Sequence, residues 1–241
     1  MKQFAILGLS YFGKNVLEEL LELGADILII DKDREVIDAY KDYPVNAVVM
    51  DLLNEENLSR VFPRDLDGVV IDMGDNLEAS ILVTSYCQKL GIPRIFVKAV
   101  TEGHGEILEM VGATKIVFPH KEAAKRITPL LVSSGLLNYI PVSGKLVIAE
   151  IEVPRHLIGK SIIETNLRQE FHINLISVKN GELEEYGLIN PEYCFRTGDV
   201  ALVSGSDEAI ERFTRTHIKK NPRSLNFKDL RKLFGQRKRK G

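Results

Sequence analysis

Phe4-Ala-Ile-Leu-Gly-Leu-Ser-Tyr-Phe-Gly13 lies at the start of the chain, and its reading decides the fold. A short apolar run ends in a glycine turn at Gly8. A helical pattern, Asn15-Val-Leu-Glu-Glu-Leu-Leu-Glu-Leu23, follows directly. A second apolar run, Ile27-Leu-Ile-Ile30, closes on Asp31. Strand, glycine turn, helix, strand and terminal acid in this order form the dinucleotide-binding fingerprint. Each part has a mechanical task. Gly8 and Gly13 let backbone N–H groups approach a phosphate at the positive end of the helix. An acid closing the second strand accepts hydrogen bonds from ribose hydroxyls, although a lone strand-end carboxylate also serves as an ordinary turn residue. The middle glycine of G-x-G-x-x-G is Ser10 here, and its Cβ crowds the closest approach of backbone to a pyrophosphate. Ser10, Tyr11 and Phe12 are the turn positions that would face a ligand. Asp31 repels a 2′-phosphate and so argues against NADP, an argument that Lys32 beside it softens.

The same rhythm continues. Apolar runs at Phe4–Gly8, Asp26–Ile30, Ala47–Met50, Val69–Met73, Ile95–Lys98 and Lys115–Phe118 alternate with helical stretches near 13–23, 34–42, 54–61, 77–90 and 103–111. This alternation predicts an α/β, Rossmann-like doubly wound parallel sheet with right-handed crossovers. A further helix from about His120 to Leu137 completes a first domain, residues 1–138. Asn138-Tyr-Ile-Pro-Val-Ser-Gly144 reads as a connector. Beyond it, residues 139–213 mix strands (Leu146–Val153, Ile173–Val178, Val200–Val203) with short helical signals and a closing helix from about Asp207. Asn180-Gly181 is a hairpin-turn signal. The expectation is a small α+β domain.

Residues 214–241 form a basic tail. From 212 onward the chain carries twelve of its 32 Lys and Arg but one of its 34 acids, leaving 20 basic and 33 acidic groups in the rest. Such asymmetry marks a separate element. Phe227, Leu230, Leu233 and Phe234 have helical spacing among Lys228, Arg231 and Lys232, the pattern of a basic amphipathic helix. Docking on an anionic membrane face and a merely solvated end are both open for it. No apolar run approaches the roughly 20 residues of a membrane span. Met1-Lys2 before the first apolar run reads as a strand start, because Gly8 and Gly13 interrupt the run. Cys87 and Cys194 form no metal or redox motif, so buried thiols in a reducing cytoplasm are expected.

Further candidates sit at the ends of the predicted strands. Backbone groups at Asp51 and Leu52 lie where an adenine edge is expected; helix capping is the alternative for Asp51, and Asn54 competes for that role. Met73-Gly74-Asp75-Asn76 ends the fourth strand, where Gly74 permits close ligand approach and Asn76 caps the next helix. Lys98 closes the fifth strand, facing either a phosphate or solvent. His104 and His120 have no metal-ligand partners at local spacing, and structural or surface roles are favoured for both. No metal site and no nucleophile–base set is expected. An NAD-dependent oxidoreductase is the rival reading of the fingerprint, but residues 145–213 show no evident catalytic His or Lys. A nucleic-acid-binding role would need the basic tail, and the acidic body opposes it.

Taken in order, Gly8-Leu-Ser-Tyr-Phe-Gly13, Asp31, Asp51, Gly74-Asp75-Asn76-Leu-Glu-Ala-Ser-Ile-Leu82, Gly91-Ile-Pro, Lys98-Ala, His104-Gly and Gly112-Ala-Thr-Lys-Ile-Val-Phe-Pro119 resemble RCK (KTN) domains, in particular the KtrA/TrkA branch. Residues 145–213, with Leu157-Ile-Gly-Lys-Ser-Ile162, resemble the C-terminal domain of that family. The resemblance covers residues 1–213. It implies a cytosolic regulatory subunit, not an enzyme, peripheral to the inner face of the cell membrane. Such a subunit gates a membrane potassium-translocating subunit and assembles as a homo-oligomer, dimers forming a tetrameric or octameric ring. It implies an adenine nucleotide ligand (ATP, ADP, AMP or NAD/NADH) at the first domain, with pairing through the helix after strand five and the crossover helix 120–137. It also implies cyclic di-AMP at the second domain, contacted by Arg168, Asn174 and Pro191 with Ile162, Ile163 and Ile173 as apolar lining; Arg168 reads equally as a solvated helix residue.

Three positions depart from the family pattern. Ser10 replaces the middle glycine, Tyr11 an arginine that reaches terminal phosphates, and His120 an acid linked to divalent cation. These departures point to weakened ATP-versus-ADP sensing or to a ligand with fewer charges, such as AMP. The Tyr11 ring is expected to cover the pocket or stack on a base.

Overall fold

The computed structural model describes residues 2–63, 65–180, 185–187 and 189–215. It divides into two compact units, Met1–His120 and Lys121–Gly241. The basic amphipathic pattern around Phe227–Phe234 and the Gly181 half of the turn signal lie outside the described residues.

The first unit is the expected doubly wound sheet. Strands β1 (Gln3–Leu7), β2 (Asp26–Asp31), β3 (Asn46–Val49), β4 (Gly68–Ile71), β5 (Ile95–Lys98) and β6 (Lys115–Val117) pair in parallel in the order β3-β2-β1-β4-β5-β6. Helices α1 (Tyr11–Glu22), α2 (Arg34–Asp38), α3 (Glu55–Val61), α4 (Leu77–Lys89) and α5 (Glu102–Met110) connect them. The strands are apolar at successive positions because both faces are covered. Ala5, Leu7, Leu28, Ile30, Val69 and Ile71 point into one core with Val83 and Leu108. Ile6, Ile27 and Ile29 point into the other with Leu17 and Ile37.

Helix starts follow the sequence chemistry. The side chains of Asp33, Asn54, Asn76 and Thr101 accept from the N–H groups of Glu35, Asn57, Ala79 and His104, capping α2 to α5. Helix α1 is the exception among these five: Ser10 is its N-cap residue, yet the Ser10 side chain makes no capping bond.

Helix α6 (Pro119–Val132) stops five residues short of the expected Leu137, and Gly135, at φ +87°, turns the chain. Read from the sequence as part of the first domain, it falls mostly in the second unit. The expected connector at 138–144 is instead largely strand β7 (Leu136–Pro141). Its turn-forming residues are overridden by pairing with β8 (Val147–Glu152) and by the inward packing of Leu136 and Tyr139. With β9 (Asn174–Lys179), β10 (Tyr186–Gly187) and β11 (Val200–Gly205) these strands make an antiparallel sheet, β10-β9-β11-β8-β7. Short helices α7 (Ile162–Thr165) and α8 (Leu167–Glu170) and a closing helix α9 (Asp207–Arg215) complete the unit. Its core holds Val147, Ala149, Ile151, Ala201 and Val203 with Phe195 and Phe213. The Phe171 and Phe213 rings meet edge to face at 5.1 Å.

The turn between β1 and α1 tolerates no side chain at its first position. Gly8 sits at φ +83°, and a Cβ there would lie 2.2 Å from the carbonyl oxygen of Asp72. Gly8→Ala is expected to lower the unfolding free energy by about 1–3 kcal/mol from backbone strain alone, and further because the loop must move. Urea unfolding of the two proteins measures the difference.

Candidate functional site

The crevice forms where the strand order reverses. Chain connections leave β1 toward β2 on one side, while β4 lies on the other, and ligands in such sheets bind outside the carboxyl ends of the strands at this point. Two backbone bonds fix the loop after β1 there. Gly8 N–H donates to the Ile30 carbonyl at 2.8 Å, and Asp72 N–H donates to the Leu7 carbonyl at 2.9 Å. A Cβ on Gly13 would stand 2.6 Å from the Gly8 carbonyl oxygen, so α1 packs directly on the turn.

Asp31 closes β2 beside this loop. Its Oδ2 accepts from Leu9 N–H at 2.8 Å and its Oδ1 from Asp33 N–H at 2.9 Å. The carboxylate is thereby oriented, half-buried, and each oxygen keeps further acceptor capacity. Lys32 is exposed.

The residue that sequence reasoning missed is Asp72, just past β4. Its side chain is completely buried, and four groups converge on it. Gly13 N–H donates to Oδ2 at 2.8 Å, and the Ser10 hydroxyl donates to the same oxygen. Gly74 N–H donates to Oδ1 at 3.3 Å. Lys98 Nζ, on a side chain 13% exposed, pairs with Oδ1 at 2.9 Å and lies 3.4 Å from Ser10 Oγ. Asp72 therefore caps α1 in place of Ser10 and puts a negative charge at its positive end, a placement worth about 0.3–2 kcal/mol. The available signal was the repeat of one pattern: Val69-Val-Ile-Asp72, like Ile27-Leu-Ile-Ile-Asp31, is an apolar run that closes on an acid.

The structure brings Gly8, Ser10, Gly13, Gly74 and Lys98 together around Asp72. Tyr11 is 83% exposed. Phe12 is half-buried. Asp51 forms a turn by accepting from Leu53 N–H at 3.1 Å, and Asn54 caps α3. Leu52 buries its side chain in the core, and Met73 packs against the same cluster. Asn76 spends its side-chain oxygen on capping α4. Among the described residues no cluster of His, Cys, Asp and Glu is placed to hold a metal ion, and no helix is long and apolar enough to cross a membrane.

Models of two domain families match the chain: the TrkA-N domain over residues 4–119 and the TrkA-C domain over residues 146–217. Ktr system potassium uptake protein A of Bacillus subtilis (strain 168) is 33% identical over 216 residues, covering 88% of this chain and 95% of that protein. The chain belongs to the Ktr family of potassium uptake proteins. The fold agrees with the RCK domain of GsuK, at a TM-score of 0.63 and 16% identity, over 88% of this chain and 47% of that one. It agrees equally with the GsuK channel bound to NAD, at 0.63 and 16%, over 88% and 39%. This chain thus spans less than half of those structures.

In this Ktr-family chain the crevice lies within the TrkA-N match. The TrkA-C match holds Arg168 on α8, Asn174 on β9 and Pro191, all exposed. Ile163 is exposed, but Ile173 is fully buried in the core and cannot line a surface pocket, which corrects its expected role. His120 is exposed. Of the cysteines, both free, Cys194 is exposed, and burial pushes the Cys87 thiol up to about 12.

His104 on α5 is a structural histidine. Its Nδ1 accepts from Val100 N–H at 3.3 Å, which leaves Nε2–H to donate to Ser80 Oγ at 2.7 Å. Ser80 in turn donates to the Leu77 carbonyl. A proton on Nδ1 would face the Val100 N–H, and burial holds the imidazole below its ordinary value of 6.5. The unfolded chain therefore binds this proton first as pH falls. The stabilisation is complete above pH 6.5 and declines as pH falls from there through the lowered folded value. The thermal midpoint is expected to drop more steeply between pH 7 and pH 5 in the native protein than in His104→Gln, as scanning calorimetry at each pH would show.

Proposed function

We propose that this chain is the nucleotide-binding regulatory subunit of a Ktr/Trk-type potassium uptake system, a ligand-driven gate and not an enzyme. The observation that carries the reading is the Asp31 carboxylate, held by the glycine-loop N–H of Leu9 at the mouth of the crevice. That is the position from which an acid accepts ribose hydroxyls in this fold. The ligand class is an adenine nucleotide: ATP, ADP, AMP or NAD/NADH. The GsuK channel, whose fold agrees with this chain, binds NAD, which supports it. The unit read from the sequence as residues 1–138 holds this ligand, through Gly8, Ser10, Tyr11, Phe12, Gly13, Asp31, Lys32, Asp51, Leu52, Met73, Gly74, Asn76 and Lys98. The unit read as 139–213 offers Arg168, Asn174 and Pro191 to a second ligand, cyclic di-AMP.

The work is a population shift. A ligand that prefers one conformation tenfold contributes about 1.4 kcal/mol per site, and several sites in a ring multiply the bias. The partner is a membrane potassium-translocating subunit. The chain acts at the cytoplasmic membrane face, where the basic tail (214–241) meets anionic lipid. Asp31→Ala is expected to weaken adenosine-ligand binding at least tenfold by titration calorimetry; unchanged affinity would reject the assignment.

Homo-oligomer assembly has apolar faces available to it. On α5, Ile107 and Met110, the latter 77% exposed, stand one turn apart. On α6, Ile127, Leu131 and Val132 are exposed, Leu131 at 78%. Leaving such faces in water is unfavourable, and an isologous contact buries both copies at once. The double change Ile127→Asp with Leu131→Asp is expected to lower the mass of the assembly in multi-angle light scattering while leaving far-ultraviolet circular dichroism intact.

A further inference from the structure

The partners of Asp72 are of the kind that this fold offers to a phosphate. They comprise an N–H in the first turn of α1 (Gly13), a glycine-turn N–H (Gly74), a hydroxyl (Ser10) and an ammonium at a strand end (Lys98). All four are already engaged by one carboxylate whose side chain is completely buried. The single cation of the cluster is matched by the single anion. Ser10 also puts a Cβ where backbone would approach a pyrophosphate, and its hydroxyl is spent on Asp72.

We propose that Asp72 is the specificity-determining residue of the nucleotide site. Its carboxylate is a resident anion that holds the phosphate subsite, so the chain selects adenosine ligands with little or no charge on the 5′ side and rejects ADP and ATP. The proposal rests on the nucleotide reading above and deepens it. Two physical terms produce the selection. A phosphate arriving at Gly13 N–H meets a like charge beside a lysine whose charge is already neutralised. Expelling Asp72 instead strips a buried carboxylate of its partners, the costly way to break an ion pair. Each added phosphate adds repulsion from Asp72.

The test is titration calorimetry of the full chain with adenosine, AMP, ADP and ATP in EDTA, for the native protein and for Asp72→Asn and Asp72→Ala. In the native protein the affinity is expected to fall along that series, with ADP at least tenfold weaker than adenosine. In Asp72→Asn the ratio of ADP to adenosine affinity is expected to rise at least tenfold. ADP or ATP outbinding adenosine in the native protein would overturn the proposal, with no need for either variant to fold. An unchanged ratio in folded Asp72→Asn and Asp72→Ala would overturn it too, while adenosine binding still upheld the nucleotide reading. Heat from none of the four ligands, in any of the proteins, would bring down the nucleotide reading and this proposal with it.

Discussion

One buried carboxylate organises the crevice. Asp72 leaves the end of β4 and takes hold of the start of α1, the turn before α4 and the lysine that ends β5. Removing one partner of a buried pair costs about 3–5 kcal/mol, because the other charge stays desolvated. Such a group leaves its surroundings little freedom. The Gly8 turn lies against the Asp72 carbonyl with no space for a Cβ, and the Asp72 N–H is bound to Leu7. Backbone and side chain of one residue thus set the geometry of the glycine loop from both sides.

The sheet makes that placement possible. β1 lies between β2 and β4, and its alternate residues enter two separate cores. Burial on both faces immobilises the central strands, so their carboxyl ends present Asp31, Asp72 and Lys98 along one rim. Asp31 and Asp72 are chemically alike but differ in surroundings. Asp31 is half-buried, accepts only backbone N–H groups and keeps acceptor capacity for a ligand. Asp72 is sealed, ion-paired and saturated. The first keeps acceptor sites to offer; the second has none to spare.

Much of the first unit was legible in the sequence. Its strands fall within about two residues of the apolar runs that predicted them, because a strand covered on both faces must be apolar at every position. The cap residues Asn54 and Asn76 were legible for a similar reason, since capping acts over three residues. The second unit was harder. Asn138-Tyr-Ile-Pro-Val-Ser-Gly144 carries turn chemistry, yet pairing with β8 makes most of it a strand. The end of α6 was missed because Ser133-Ser-Gly135 interrupts a pattern that otherwise continues. Asp72 was overlooked because an acid inside an apolar stretch reads as an interruption until its counter-charge is located.

The sequence by itself determined what depends on near neighbours: the strand–turn–helix order, the glycine that the first turn requires, the acid that ends β2, and the likeness to Ktr-type domains that the motif order carried. Only the tertiary structure decided that Ser10 meets Asp72 across 62 positions and approaches Lys98 across 88. The reason is physical. Local patterns record which face of an element is buried, but whether a buried charge finds its partner is settled by which strand ends the folded sheet sets side by side.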